Sequence, residues 1–309
     1  MDKNKYYVTE DSAGERLDTF ISEKIDLTRS QIQKLVRSGL ITVNDIPVKT
    51  SYKVKSGDCI EIVLPQEQED KLIPENIPLD VIHEDDHIIV INKAAKMVLY
   101  PAAGNKSGTL MNALAARCKK LASIGAPLRP GIVHRLDKET SGAIIIAKDN
   151  RAYYSLVDQF KDRRITKIYM ALLYGNPGKD QGEITSRIGR SPSDRKKMST
   201  RSKRGKEAVT RFEVIKRLKY AALARIHIIT GRTHQIRVHF ASIGHPVLGD
   251  KTYGKKTSLK IDQKLIHVPR QMLHAKYLKL SHPATGKVME FEAPMPEDME
   301  KTIKELAER

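Results

Sequence analysis

Two cysteines, Cys59 and Cys118, are all that the 309 residues hold. Neither belongs to a Cys-x-x-Cys pair, which excludes a zinc site of the usual spacing and a disulfide framework. Reduced thiols fit a cytosolic chain. Long apolar runs are also missing. No stretch approaches the ~20 residues of a spanning helix, so no membrane partner is expected. Met1 to Tyr6 lacks the apolar core of a secretion signal. A phosphate-cradling loop is absent as well. Gly104-Asn105-Lys106-Ser107-Gly108 does not follow the Gly-x-x-x-x-Gly-Lys-Ser/Thr order, and no nucleotide cofactor is expected. His234 and His239 stand five residues apart, which suits neither one helix face nor a zinc motif. They read as hydrogen-bonded structural residues, and no metal is expected.

Positive charge is present in excess. Lys and Arg number 55 against 37 Asp and Glu, a net charge of +18. The first 75 residues carry 11 basic and 14 acidic side chains, net −3, and the rest carry 44 and 23, net +21. A polyanion is the expected partner, nucleic acid before membrane surface, and the larger part of the chain should face it. At 40% hydrophobic, the chain can build a sizeable core.

The spacing predicts two domains. In the first, residues 12–70, Ser12 and Glu15 fit a capping box ahead of Leu17, Phe20 and Ile21. Thr28 and Gln31 fit a second one, ahead of the stripe Ile32, Leu35, Val36, which Gly39 is placed to end. Strands follow at 40–43 and 58–64. Arg29, Lys34 and Arg37 cluster on the second helix. Pro65 to Pro78 is rich in proline and acid and poor in apolar residues, so 71–78 reads as a linker. A larger domain, 79–300, opens with strands around the acidic turn Glu84-Asp85-Asp86. Helices are expected beyond Thr109 and at 150–161, and strands at 165–173 and 225–230. The run from Arg195 through Lys196 and Lys197 to Lys206 has no apolar periodicity. It reads as a solvated loop or an RNA arm.

One stretch organises the rest: Gly131-Ile132-Val133-His134-Arg135-Leu136-Asp137-Lys138-Glu139-Thr140-Ser141-Gly142, then Ala143-Ile144-Ile145-Ile146-Ala147. Alternation over 133–137 predicts an extended segment with Arg135 and Asp137 on one face. Lys138 to Gly142 is turn chemistry, and the β-branched run is a buried strand. By itself the pair Arg135/Asp137 is equally a structural ion pair or a catalytic carboxylate beside a cation.

The stretch resembles the HRLD-x-x-TSG signature of the RluA/RluD family of pseudouridine synthases. Ile165–Leu173 carries the family's K-x-Y pattern at Lys167 and Tyr169. Gly231-Arg232-Thr233-His234-Gln235-Ile236-Arg237, Gly244-His245-Pro246-Val247-Leu248-Gly249-Asp250 and His282-Pro283-Ala284-Thr285-Gly286 also match. The first domain resembles the alpha-L RNA-binding motif of the ribosomal-protein-four type. Ala94, Lys96 and Tyr100 depart from the family's usual Pro, Gly and His. The resemblance implies an α+β fold, with a small helical RNA-binding domain and a large mixed or antiparallel sheet flanked by helices. It implies Asp137 as the catalytic residue, Arg135 as the residue that displaces the target base, and Tyr169 stacked on that base. Arg237, rather than Arg232, is expected to pair with Asp137. Arg29, Lys34, Arg37, Arg195, Lys196, Lys197 and Arg232 become RNA contacts. The implied partner is RNA, ribosomal RNA foremost and transfer RNA as the alternative, for a cytoplasmic monomer without a cofactor. The rival readings are a non-catalytic RNA-binding or ribosome-assembly factor and an RNA glycosidase or nuclease using Asp137.

Overall fold

The computed structural model describes residues 2–64, 71–102, 104–125, 127–194, 197–202, 204–254, 257–261 and 264–307. They fall into two units, Met1–Asp70 and Lys71–Arg309.

The first unit runs β1 (Asp2–Tyr7), α1 (Leu17–Lys24), α2 (Arg29–Arg37), β2 (Ile41–Val43), β3 (Ile46–Pro47), β4 (Cys59–Leu64). The antiparallel sheet has the order β1-β4-β2-β3. The Thr28/Gln31 capping box forms. Ile32 and Val36 then face Leu17, Phe20, Ile21, Ile60 and Ile62 in one core. Gly39, at φ +70, ends the helix. The Ser12/Glu15 box does not form. Glu10–Ser12 is a 3-10 turn, and α1 starts at Leu17 without a side-chain cap. Arg16 instead forms an isolated bridge with Lys53, with Gly14 N donating to Val54 O, Val54 N to Glu15 O and Leu17 N to Tyr52 O. The two N–H groups that the box would have used are met locally, Ser12 N by Thr9 O and Glu15 N by Ser12 O. β1 has no apolar alternation to betray it. It pairs with β4, and Lys3 and Lys5 both meet Glu61.

The second unit holds β5 (Val81–Glu84), β6 (Ile88–Lys93), α3 (Leu110–Arg117), β7 (Ser141–Ala147), α4 (Asn150–Lys161), β8 (Thr166–Tyr174), β9 (Gln181–Arg190), β10 (Met198–Ser199), β11 (Lys206–Leu218), β12 (Ala221–Ile228), α5 (Gln235–Ser242), β13 (Ser258–Ile261), β14 (Lys264–His267), β15 (Leu273–Ser281), β16 (Val288–Glu292) and α6 (Glu297–Ala307). Ten strands form one mixed sheet in the order β10-β9-β11-β12-β8-β15-β7-β6-β5, with β16 on β15. Only β15 and β7 pair in parallel, through His274–Ser141 and Ala275–Gly142. Gly142 sits at φ +109, where a Cβ would strike the Ala275 carbonyl. With a period of two, β7 sends Ile144 and Ile146 into one core and Ala143, Ile145 and Ala147 into another. β7 is thus buried on both faces, whereas β9 and β11 expose many of their residues. Among the described residues no helix is long and apolar enough to cross a membrane.

The stretch 71–78 is not a free linker. Leu72 packs on the core, Asn112 Nδ2 donates to Ile73 O, and Glu75 N donates to Asn112 O. The Glu75 carboxylate accepts from Gly108 N. Scarce apolar content did not keep this segment loose, because α3's buried Asn112 needs its carbonyl. A protein starting at Lys71 should therefore be more stable than one starting at Ile77. The expected gap is about 2 kcal/mol or more, given the unsatisfied Asn112 and the lost Leu72 contact. Urea unfolding of the two would measure it, and equal midpoints would return 71–76 to the status of a linker.

Candidate active site

Residues 131–140 are irregular rather than a strand, with one bridge between Ile132 and Ile146. The reason lies in where β7's outward N–H groups go. Ala147 N donates to Gly131 O (3.0 Å), and Ile145 N donates to the His134 ring at Nε2 (3.0 Å). A side chain has replaced a ladder partner, so the backbone is free to turn. His134 stacks on Phe160 at 4.8 Å. Burial and then the charge of Lys167 push its pKa down to about 3, so the ring stays a neutral acceptor.

The turn after Asp137 is held from beneath. Thr140 N donates to Asp137 O (3.1 Å). The buried Lys93 donates to the carbonyls of Ala94, Met97 and Lys138. Arg270, 1% exposed, donates to Glu139 O and is clamped by Asp298 of α6 at 2.6 and 2.8 Å. Gln271 donates to Thr140 Oγ1. Two buried side chains, Lys93 and Arg270, thus hold two successive carbonyls beside Asp137.

Arg237, on the first turn of α5, reaches the loop. Its Nη1 donates to Asp137 Oδ2 (2.8 Å), while Nε and Nη2 grip Asp250 at 2.7 and 3.0 Å. Asp250 is fully buried and also accepts from the backbone of Thr252 and Tyr253. Burial works against the Arg237 cation, but Asp250 and then Asp137 outweigh it and its pKa rises. Of the two arginines in the motif, Arg237 makes the pair. Arg232 lies at the rim, its Nε donating to Glu207 O. Tyr169 projects from β8, 8% exposed. Burial, and secondarily the Asp137 charge, raise its phenol pKa.

These groups line a pocket of about 310 Å³ with Arg135, Asp137, Lys167, Tyr169, His234 and Arg237 on its walls. Arg135 is exposed at its mouth. Lys167 sits 5.5 Å from the Phe160 ring centre, and burial followed by Arg163 pulls its pKa down to about 8. Arg135, Asp137, Tyr169, Arg237 and Arg232 are therefore brought together. Arg29, Lys34 and Arg37 lie exposed on α2 of the other unit. Lys197 pairs with Asp194 at 3.5 Å, and Arg195 and Lys196 lie outside the described residues.

Sequence reasoning missed Lys93, Asp250, Tyr253 and Arg270 as parts of the site. It read His234 and His239 alike as hydrogen-bonded structural residues, and of the two only His234 borders the pocket. His239 is structural, bonded to Thr210 and Ser186. His234 Nε2 instead stands 3.8 Å from Asp137 Oδ1, with its Nδ1 2.8 Å from the Tyr253 hydroxyl. A Tyr at 253 paired with a His at 234 is invisible to spacing, since the partners are joined only by the fold.

Residues 87–242 match the RNA pseudouridylate synthase family, and residues 15–60 match the S4 domain. The chain belongs to the RNA pseudouridylate synthase family. It is 42% identical to the Uncharacterized RNA pseudouridine synthase YlyB of Bacillus subtilis, over 96% of each chain. It is also 42% identical to Ribosomal large subunit pseudouridine synthase D of Zymomonas mobilis, covering 99% of this chain and 98% of that one. Among solved structures it resembles Human RNA Pseudouridylate Synthase Domain Containing 4. There the TM-score is 0.57 at 26% identity, over 74% of this chain and 92% of that one. This pseudouridine synthase is an RNA-directed isomerase with an S4 domain ahead of an α+β catalytic fold.

Two outcomes follow from the synthase's buried charges. Removing the bidentate carboxylate with Asp250→Ala leaves Arg237 half paired in a dry site. It should lower stability by about 3 kcal/mol or more in urea unfolding, with turnover falling too. A loss under about 1 kcal/mol would mean that the pair is not what holds α5 to the loop. The second concerns His134. Unfolded, a histidine takes up a proton near pH 6.5, but folded His134 refuses it down to about 3. The unfolded chain therefore binds more protons in that window, and stability must fall as pH drops from 6.5 toward 3. His134→Gln should show a shallower fall when unfolding is followed between pH 7 and 4.5.

Proposed function

We propose that this synthase converts uridines of large-subunit ribosomal RNA to pseudouridine, with Asp137 acting against the sugar of a base taken out of its stack. The observation that carries the reading is Asp137 itself. It is an ionisable carboxylate in a small pocket, with one oxygen fixed by a buried arginine and a tyrosine ring beside it. The reaction breaks the bond from C1′ to N1 and joins C1′ to C5. The C5 proton leaves and N1 gains one, so the balance needs no oxidant or reductant. A carboxylate at the anomeric side can attack C1′, stabilise its developing positive charge or take a sugar proton.

A base in a helix cannot enter such a pocket, so the nucleotide must swing out. Arg135, exposed at the mouth, is long, flat and cationic, and fills the vacated place in the stack. Tyr169 stacks on the detached base while it turns. The ribosomal substrate is supported by the name of the Zymomonas relative and by the excess positive charge beyond residue 75. Arg29, Lys34 and Arg37 of the S4 domain, together with Arg195, Lys196, Lys197 and Arg232, are proposed as backbone contacts that hold and orient the RNA. A monomer working in the cytoplasm without a cofactor completes the reading.

Asp137→Asn should abolish isomerisation, a fall of roughly a thousandfold or more (about 4 kcal/mol in barrier), while RNA affinity stays within a few fold. Pseudouridine mapped across total RNA, with the gene intact and with it deleted, names the sites. Turnover within about tenfold of wild type would remove Asp137 from the mechanism. Sites found only in transfer RNA would move the substrate.

A further inference from the structure

We propose that His234 is a positioning residue, which the Tyr253 hydroxyl locks in the neutral tautomer carrying its proton on Nε2 and which aims the free oxygen of Asp137. The inference rests on Asp137 being the reacting carboxylate, and its test separates the two.

The argument begins at Tyr253. Its hydroxyl oxygen accepts a hydrogen bond from Met198 N (2.9 Å) and lies 2.8 Å from His234 Nδ1. A phenol has one proton to give. Among the described residues, no acceptor for it other than Nδ1 stands in contact. If Nδ1 carried the proton instead, the phenol proton would find no acceptor among the described residues. The lone pair of Nε2 would then face the Asp137 carboxylate. Both costs vanish when Tyr253 donates to Nδ1 and the ring proton sits on Nε2. The protonated Nε2 then stands 3.8 Å from Asp137 Oδ1.

The backbone shows that this placement is held. His234 lies at φ +56 and ψ +19, directly before α5, a left-handed conformation that a histidine adopts at a cost. Arg232 N donates to Gln235 Oε1, and Gln235 Nε2 donates to Val209 O and Thr210 Oγ1, so the turn is bolted to β11. The His234 ring packs edge-on against Tyr253 at 5.7 Å.

The consequence is a division of labour between the two oxygens of Asp137. Arg237 holds Oδ2 at 2.8 Å. Oδ1 remains for the nucleotide, and it is the atom that His234 faces. The gap of 3.8 Å is too long for a hydrogen bond in the free protein. It leaves room for the sugar to reach Oδ1, while a neutral N–H donor opposes rotation of the carboxylate. A cationic ring would compete with the substrate for that oxygen. Burial first, and then Arg237 and Arg135 against Asp137 and Asp250, keep His234 below the ordinary histidine pKa.

Two measurements test this. Long-range proton–nitrogen correlation on the full-length ¹⁵N-labelled protein at pH 7.5 reads each tautomer of its ten histidines directly. The His234 signal is identified by its loss in His234→Gln. The proton on Nε2 is expected in wild type and a mixture in Tyr253→Phe. A proton on Nδ1, or a doubly protonated ring, overturns the proposal, and this reading needs no activity. Single-site kinetics on a short RNA spanning a mapped uridine form the second arm. His234→Ala should lose about tenfold or more in kcat. KM should stay within about threefold. His234→Gln, whose amide nitrogen falls near Nε2, should recover most of the loss. Glutamine as slow as alanine, or alanine as fast as wild type, overturns the positioning role. If Asp137→Asn were fully active, the mechanism above would fail while the tautomer result stood unaffected.

Discussion

Arg237 is the residue on which the rest of the catalytic unit depends. A guanidinium 7% exposed between two carboxylates has lost most of its hydration. It is tolerable only because Asp250 meets it with two oxygens and Asp137 with one. That requirement reaches outward. Asp250 must be buried, so its second set of lone pairs is filled by Thr252 N and Tyr253 N. Gly249 must precede it at φ +77, because a Cβ there would strike the Arg270 carbonyl. Arg270 in turn holds the loop that bears Asp137. The network thus closes on itself, and each member fixes the next.

The loop that bears Asp137 shows how a rigid sheet can support an irregular backbone. A loop bordering a buried strand would leave N–H and C=O groups without partners. Here those groups are met one by one. Gly131 O and the His134 ring take β7's outward donors, and Lys93 and Arg270 give theirs to the carbonyls of Lys138 and Glu139. The outcome is a carboxylate whose own contacts are few but whose backbone is heavily held. Such preorganisation from surrounding residues is what a site needs to keep its geometry. The C-terminal helix belongs to this support, since Asp298 grips Arg270.

The departures at Ala94, Lys96 and Tyr100 have a local setting. Ala94 O is one of the three carbonyls around Lys93. Lys96 takes φ +71, a place where glycine would be unstrained. Tyr100 packs on the main core with Arg129 5.7 Å from its ring. The turn closes around the buried amine of Lys93.

Local pattern alone determined a good deal. The Thr28/Gln31 box, the helix at 150–161 and the buried run at 143–147 are set by neighbours within a few residues, where propensity and period act directly. The motif order also placed Arg135, Asp137, Tyr169 and Arg237, because a family's signature is written in sequence. Tertiary structure decided what depends on groups distant in the chain. It drew 71–78 onto α3, made a 3-10 turn where the Ser12/Glu15 box was expected, and turned His134 into an acceptor for β7. It also carried Tyr253 and Asp250 to Asp137, more than a hundred residues away. A side chain's chemistry follows from which donor, charge or wall of low dielectric stands beside it. Spacing along the chain fixes such neighbours only over a turn or a strand, and beyond that only the packed fold can.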